Sequence, residues 1–253
     1  MEMSKADAVS IVCNYIVDEL LARATRSSEV RNYYDIAVIG YNDDDISPLI
    51  PNNCRELISI SELAKQAPKH RAYNFELCDE NGDSVAVRYM LREWIKPKTG
   101  GLTPMLAALS HIYTLVSAWC SKPENSNSFP PIIFNITDAE CNDATPQELI
   151  AMANEITKTH TNDGNTLLFN IHLGSSVDLK SEIFPSDSDY HADSEYQMTL
   201  YRMSSLMPRS MEPLIEQIGT YRNQGPYRAM AFNITPGELF AILNIGSESI
   251  NLG

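Results

Sequence analysis

Four short apolar runs, none of which alternates with polar residues, constrain this chain more than any other feature. They are Ile36-Ala37-Val38-Ile39, Ile132-Ile133-Phe134-Asn135-Ile136, Thr166-Leu167-Leu168-Phe169 and Ala229-Met230-Ala231-Phe232. A strand with one wet face alternates, whereas a strand covered on both faces reads as a continuous apolar run. Helical patterns stand between the runs, so the order of elements predicts an α/β fold. Its central sheet is mostly parallel, with helices on both faces and right-handed crossovers.

The helices carry their own start signals. Ser4 and Asp7 make an S-x-x-D cap, followed by Val9, Val12, Cys13, Ile16, Val17, Leu20 and Leu21 as one apolar stripe. Three further helices open on Thr103-Pro104, Thr145-Pro146 and Thr235-Pro236. In each, threonine is placed to cap and proline supplies a preset φ where no amide is needed. Glu148 and Glu238 complete capping boxes, and the helix from Thr103 carries Leu106, Leu109, Tyr113 and Val116 on one side. Two segments depart from the layered pattern. Over 72–92, alternating residues flank Asn81-Gly82, which predicts a β-hairpin added at an edge of the sheet or as a flap. The stretch 181–195 is polar and acidic, and reads as a solvated loop. A short helical pair over 194–206 and 209–219 precedes the last strand. No repeat or linker interrupts the chain, which is read as a single domain over 1–253.

Charge and cysteine usage narrow the function classes. With 19 basic and 33 acidic side chains, the net charge is −14, and the sequence pI is near 4.7. Such a surface repels phosphate backbones and anionic membranes, so neither nucleic acid nor membrane is an expected partner. The five cysteines are scattered, with no Cys-x-x-Cys pair, which points to buried free thiols in a reducing, cytoplasmic setting. No apolar run reaches the ~18 residues of a membrane-spanning helix.

In open α/β sheets, ligands bind beyond the carboxyl ends of the parallel strands. The loops there are Gly40-Tyr41-Asn42-Asp43-Asp44-Asp45 and Thr137-Asp138-Ala139-Glu140-Cys141-Asn142-Asp143, while His172 and Asn233 end the other two strands. Gly100-Gly101-Leu102-Thr103-Pro104-Met105 makes a turn into a helix. Oxygen donors dominate, the chemistry a hard cation such as Mg²⁺ prefers. The Asp43-Asp44-Asp45 run lacks a calcium-loop register and reads as a solvated turn. Glu140 and Asp143 read as a solvated rim, and Asp187-Ser188-Asp189 as part of the acidic loop. His172 has no serine or cysteine nucleophile placed beside it by any motif. Asn135 and Asn233 match the glycosylation pattern by chance, since both adjoin buried strands.

Gly101-Leu102-Thr103-Pro104-Met105, followed about thirty residues later by Ile133-Phe134-Asn135-Ile136-Thr137-Asp138-Ala139-Glu140, resembles the second and third parts of the metal-ion-dependent adhesion site of von Willebrand factor type A domains. Lys5-Ala6-Asp7-Ala8-Val9 and Tyr34–Tyr41 stand where that family places its first helix and second strand, so the resemblance spans about 4–246. It implies a Rossmann-like fold of the bacterial cytoplasmic type, some members of which serve in stress-response complexes. It further implies that Thr103 and Asp138 serve a Mg²⁺ ion, Thr103 through its hydroxyl and Asp138 through water. Ala139 replaces the family's glycine. The family's first part, Asp-x-Ser-x-Ser after a central first strand, has no counterpart in Met1-Glu2-Met3-Ser4. Three explanations are open: the sequence lacks its true start, the strands at 34–40 and 131–137 pair directly, or another chain donates the strand.

The expected function is a non-enzymatic protein-binding module in which Mg²⁺ accepts an Asp or Glu carboxylate from a partner. A metal-free scaffold with a vestigial site is the alternative. A metal-dependent hydrolase, the less favoured reading, would need a phosphate-cradling glycine loop or paired catalytic carboxylates; Gly100-Gly101 is too short for the former, and no lysine follows in the right place.

Overall fold

The computed structural model describes residues 4–249 except 44, 51–55, 67, 79–83, 98–99, 175–179 and 188–189. Where the sequence is read as one domain, the chain divides into two compact units. Unit 1 covers Met1–Tyr41 and Asp45–Gly100, and unit 2 covers Asn42–Asp44 and Gly101–Gly253.

Unit 1 is built around α1 (Lys5–Ala24). Its start follows the sequence signal, with the Ser4 hydroxyl accepting the Asp7 amide at 3.1 Å. Short strands follow: β1 (Thr25–Arg26), β2 (Glu29–Val30), β3 (Asp35–Ile36), β4 (Ile39–Asn42), β5 (Asp45–Pro48) and β6 (Ile58–Ser59), then α2 (Ile60–Leu63). The unit ends with β7 (His70–Cys78) and β8 (Ser84–Arg92). Val17, Leu21, Ile58, Ile60, Leu63 and Trp94 form its core. Asn14 is buried on the same helix, and both halves of its amide bond the Ile95 backbone, at 2.8 and 2.9 Å. Asp18 gathers the Arg92 backbone amide, the Arg92 guanidinium and the Trp94 indole within 3.1 Å. These bonds satisfy polar groups that burial would otherwise penalise.

One expectation is corrected here. The run Ile36–Ile39 is not a strand of a parallel sheet. Asp35–Ile36 pairs antiparallel with Ile58–Ser59, and β4 pairs with β5. A run of four apolar residues does not specify its partners, and these partners lie close in sequence, where loop closure costs least. The hairpin does form. β7 and β8 run antiparallel with Tyr73 opposite Tyr89. They make a two-stranded sheet of their own, and the Asn81-Gly82 turn lies outside the described residues.

Unit 2 contains the layered pattern. Its elements are α3 (Met105–Cys120), β9 (Ile132–Thr137), α4 (Pro146–Lys158), β10 (His160–Thr161), β11 (Gly164–Asn165), β12 (Leu167–Leu173), β13 (Glu182–Ile183), α5 (Glu195–Met203), α6 (Glu212–Ile218), β14 (Met230–Ile234) and α7 (Pro236–Ser249). The four-stranded sheet has the order β13-β14-β12-β9. β9, β12 and β14 are mutually parallel, as their unbroken apolar runs predict, and β13 adds antiparallel to β14. On one face, Leu168 and Met230 pack with Met105, Leu109, Leu149, Ile156 and Leu200 from α3, α4 and α5. The other face carries phenylalanines in contact, the Phe134 ring tilted against Phe169 at 4.8 Å and the latter edge-on to Phe184 at 6.3 Å. The capping boxes at Thr145 and Thr235 form as read. Asn135 and Asn233 are buried, 7% and 6% exposed.

The acidic stretch 181–195 is a second correction. It contains β13, and Ile183, Phe184, Pro185 and Ser186 are buried. Two of its carboxylates are engaged. Glu182 accepts from Tyr190 at 2.7 Å, Gln197 at 2.7 Å and Tyr221 at 3.1 Å. Asp187 pairs with Arg228 at 2.6 Å and accepts the Tyr201 hydroxyl at 2.9 Å. Most of these donors lie well away in sequence, so the local composition does not reveal them. Desolvation, and then the Glu182 charge, push the Tyr221 hydroxyl up to about 12.

A buried polar chain crosses the helix-covered face of the sheet. Asn135 donates to Asn170 at 2.9 Å, Asn170 to Ser204 at 3.1 Å, and Ser204 to the Leu200 carbonyl at 2.7 Å. Truncating its middle member removes the oxygen that accepts from Asn135 and the amide that donates to Ser204, both within an apolar layer. Asn170→Ala is therefore expected to lower unfolding stability by about 1–3 kcal/mol, read as a drop in the urea midpoint at unchanged m-value.

Candidate functional site

The candidate site lies in unit 2, where the loop after β9 meets the start of α3. Thr103 and Pro104 lead into α3, but Thr103 does not cap it, which corrects the sequence reading. Pro104 occupies the cap position with no side-chain bond. The cap comes instead from Asp143, whose two carboxylate oxygens accept the Leu106 amide at 3.0 Å and the Ala107 amide at 2.9 Å. A carboxylate astride a helix N-terminus satisfies free amides and opposes the positive end of the helix dipole. The expected solvated rim at Asp143 is therefore a structural brace.

Three further bonds hold the same loop. The Asn142 amide donates to the Thr103 carbonyl at 3.2 Å. The Tyr196 hydroxyl of α5 donates to the Ala139 carbonyl at 2.9 Å. Thr137 turns the chain locally, its hydroxyl accepting the Ala139 amide at 3.3 Å. The segments bearing Thr103 and Asp138 are thus joined through Asn142 and Asp143. The Asp138 side chain is exposed and Thr103 is half-buried. Among the described residues, neither the Asp138 carboxylate nor the Thr103 hydroxyl has a side-chain hydrogen bond or ion pair. Glu140 is exposed beside them.

Asp43 is a site-forming residue that the sequence reading missed. Its sequence context reads as a solvated turn, yet its carboxylate accepts the Leu102 amide at 2.8 Å, and its own amide donates to the Leu102 carbonyl at 3.1 Å. Gly101 makes room for it. A Cβ at position 101 would stand 2.5 Å from Asp43 Oδ2, and the backbone there has φ +92°. The Gly100-Gly101 doublet was a usable sign of a close approach, although it does not say what approaches.

His172 closes the neighbouring strand, opposite Thr137 in register. Its ring stacks on Phe232 at 4.5 Å and meets the Tyr196 ring edge-on at 5.8 Å. Its Nδ1 accepts the Asn233 amide at 3.3 Å. His172 is therefore held by aromatic packing next to the Asp138 loop.

A hydroxyl and a carboxylate are suitable donors for a hard divalent cation. Among the described residues no three His, Cys, Asp or Glu side chains converge as a metal cage, and Asp143 is committed to α3. Thr103 and Asp138 carry oxygen donors of that kind, on segments joined by the bond from the Asn142 amide to the Thr103 carbonyl. Comparison with protein-family models, with curated proteins and with solved structures finds no match for this chain, so functional argument rests on this geometry. Among the described residues no helix is long and apolar enough to cross a membrane.

The acid-base behaviour of Asp143 gives a test. Desolvation raises its pKa, but the bonds from the Cys141 thiol and the Ala107 and Leu106 amides together outweigh that and leave it below the usual aspartate value. A depressed folded pKa means that the brace is fully present above the unfolded value of about 3.9 and is lost as pH falls through the lower folded value. Asp143→Asn is expected to flatten the acid limb of the stability curve below about pH 4. Asp143→Ala is expected to cost about 0.5–2 kcal/mol at pH 7, both measured by chemical unfolding. Gly101→Ala is expected to lower the thermal midpoint, whereas Gly100→Ala, with open space around its Cβ, bears only the strain of its positive φ.

Proposed function

We propose that unit 2 is a protein-docking module that works without turnover, using the carboxyl ends of its parallel strands as the contact surface. Thr103 and Asp138 would hold a Mg²⁺ ion there, and a partner's Asp or Glu carboxylate would complete the ion's shell. The resemblance to von Willebrand factor type A domains first suggested this reading. One observation carries it: the loop 137–143 is braced by Asn142, Asp143 and Tyr196, while among the described residues the Asp138 carboxylate and the Thr103 hydroxyl have no side-chain hydrogen bond or ion pair. Side chains left unengaged on a backbone that is already ordered bind with little further loss of entropy. When bound, Mg²⁺ supplies a positive charge with exchangeable positions for oxygen ligands. The protein's own part is to orient the two donors.

A second reading is favoured by the Asp143 cap, which sets the loop without any cation. In it, the same surface docks its partner metal-free. Titration calorimetry and amide NMR distinguish the two. The first reading expects Mg²⁺-dependent shifts at residues 103 and 138–142 that EDTA reverses and Asp138→Ala abolishes. Partner binding that survives both EDTA and Asp138→Ala would leave the metal-free reading.

A further inference from the structure

We draw no further inference here: the strongest candidate, the open groove of unit 2 where α3 and α4 end, lined by Tyr113, Ser117, Cys120, Glu155, Lys158 and His160, carries none, because Lys158 and Glu155 are paired with each other at 2.6 Å and nothing in the structure shows the chemistry of what would occupy it.

Discussion

Unit 2 depends on a central strand with neighbours on both sides. β12 pairs in parallel with β9 along one edge and with β14 along the other, and six of its seven residues are buried. A strand in that position has no water to satisfy its backbone, so its amides and carbonyls must find partners in the adjacent strands. Parallel pairing in turn requires long crossover connections, and those connections bring α4 and α5 onto the sheet, beside α3. The apolar layer between is interrupted at Asn135, Asn170 and Ser204, which hydrogen-bond one another across strand and helix. The amides sit side by side on adjacent strands, Asn135 opposite Asn170 in register, so the polar chain also marks the register of the sheet.

The same parallel arrangement delivers every carboxyl strand end to one side, where loops are free to differ. Here the loop after β9 is tied down by elements that do not precede or follow it directly. Asp143 caps α3, Asn142 reaches Thr103, and Tyr196 of α5 reaches Ala139. Much of the acidic character of the chain is internal bookkeeping of hydrogen bonds in this way: Asp143 closes a helix, Glu182 collects two tyrosines and a glutamine, Asp187 pairs with Arg228, and Asp43 clamps Leu102. Asp138, whose carboxylate has no hydrogen bond or ion pair among the described residues, stands out against that background.

The sequence was most legible where a pattern has one cheap structural solution. The non-alternating runs at 132–136, 166–169 and 229–232 became β9, β12 and β14 because continuous burial leaves few alternatives. Ser4, Thr145 and Thr235 cap helices as read, since a cap is a bond between residues three apart. Thr103 shows the limit of that rule. The same Thr-Pro signal stands there, but a carboxylate nearly forty residues later reaches the helix end, and no local pattern encodes that choice. The run at 36–39 failed for a related reason: four apolar residues suit any strand, and nearby partners in antiparallel ladders were available.

What the sequence alone determined, then, is the main helices and the three parallel strands of unit 2, with the oxygen donors at their ends, because periodicity and capping act over a few residues. Only the tertiary structure decided which carboxylates are free and which are consumed. Hydrogen-bond partners such as Asp43 with Leu102, Asp143 with Leu106 and Ala107, and Glu182 with Tyr221 lie far apart along the chain. A carboxylate in a polar stretch looks the same in sequence whether water or a distant amide satisfies it.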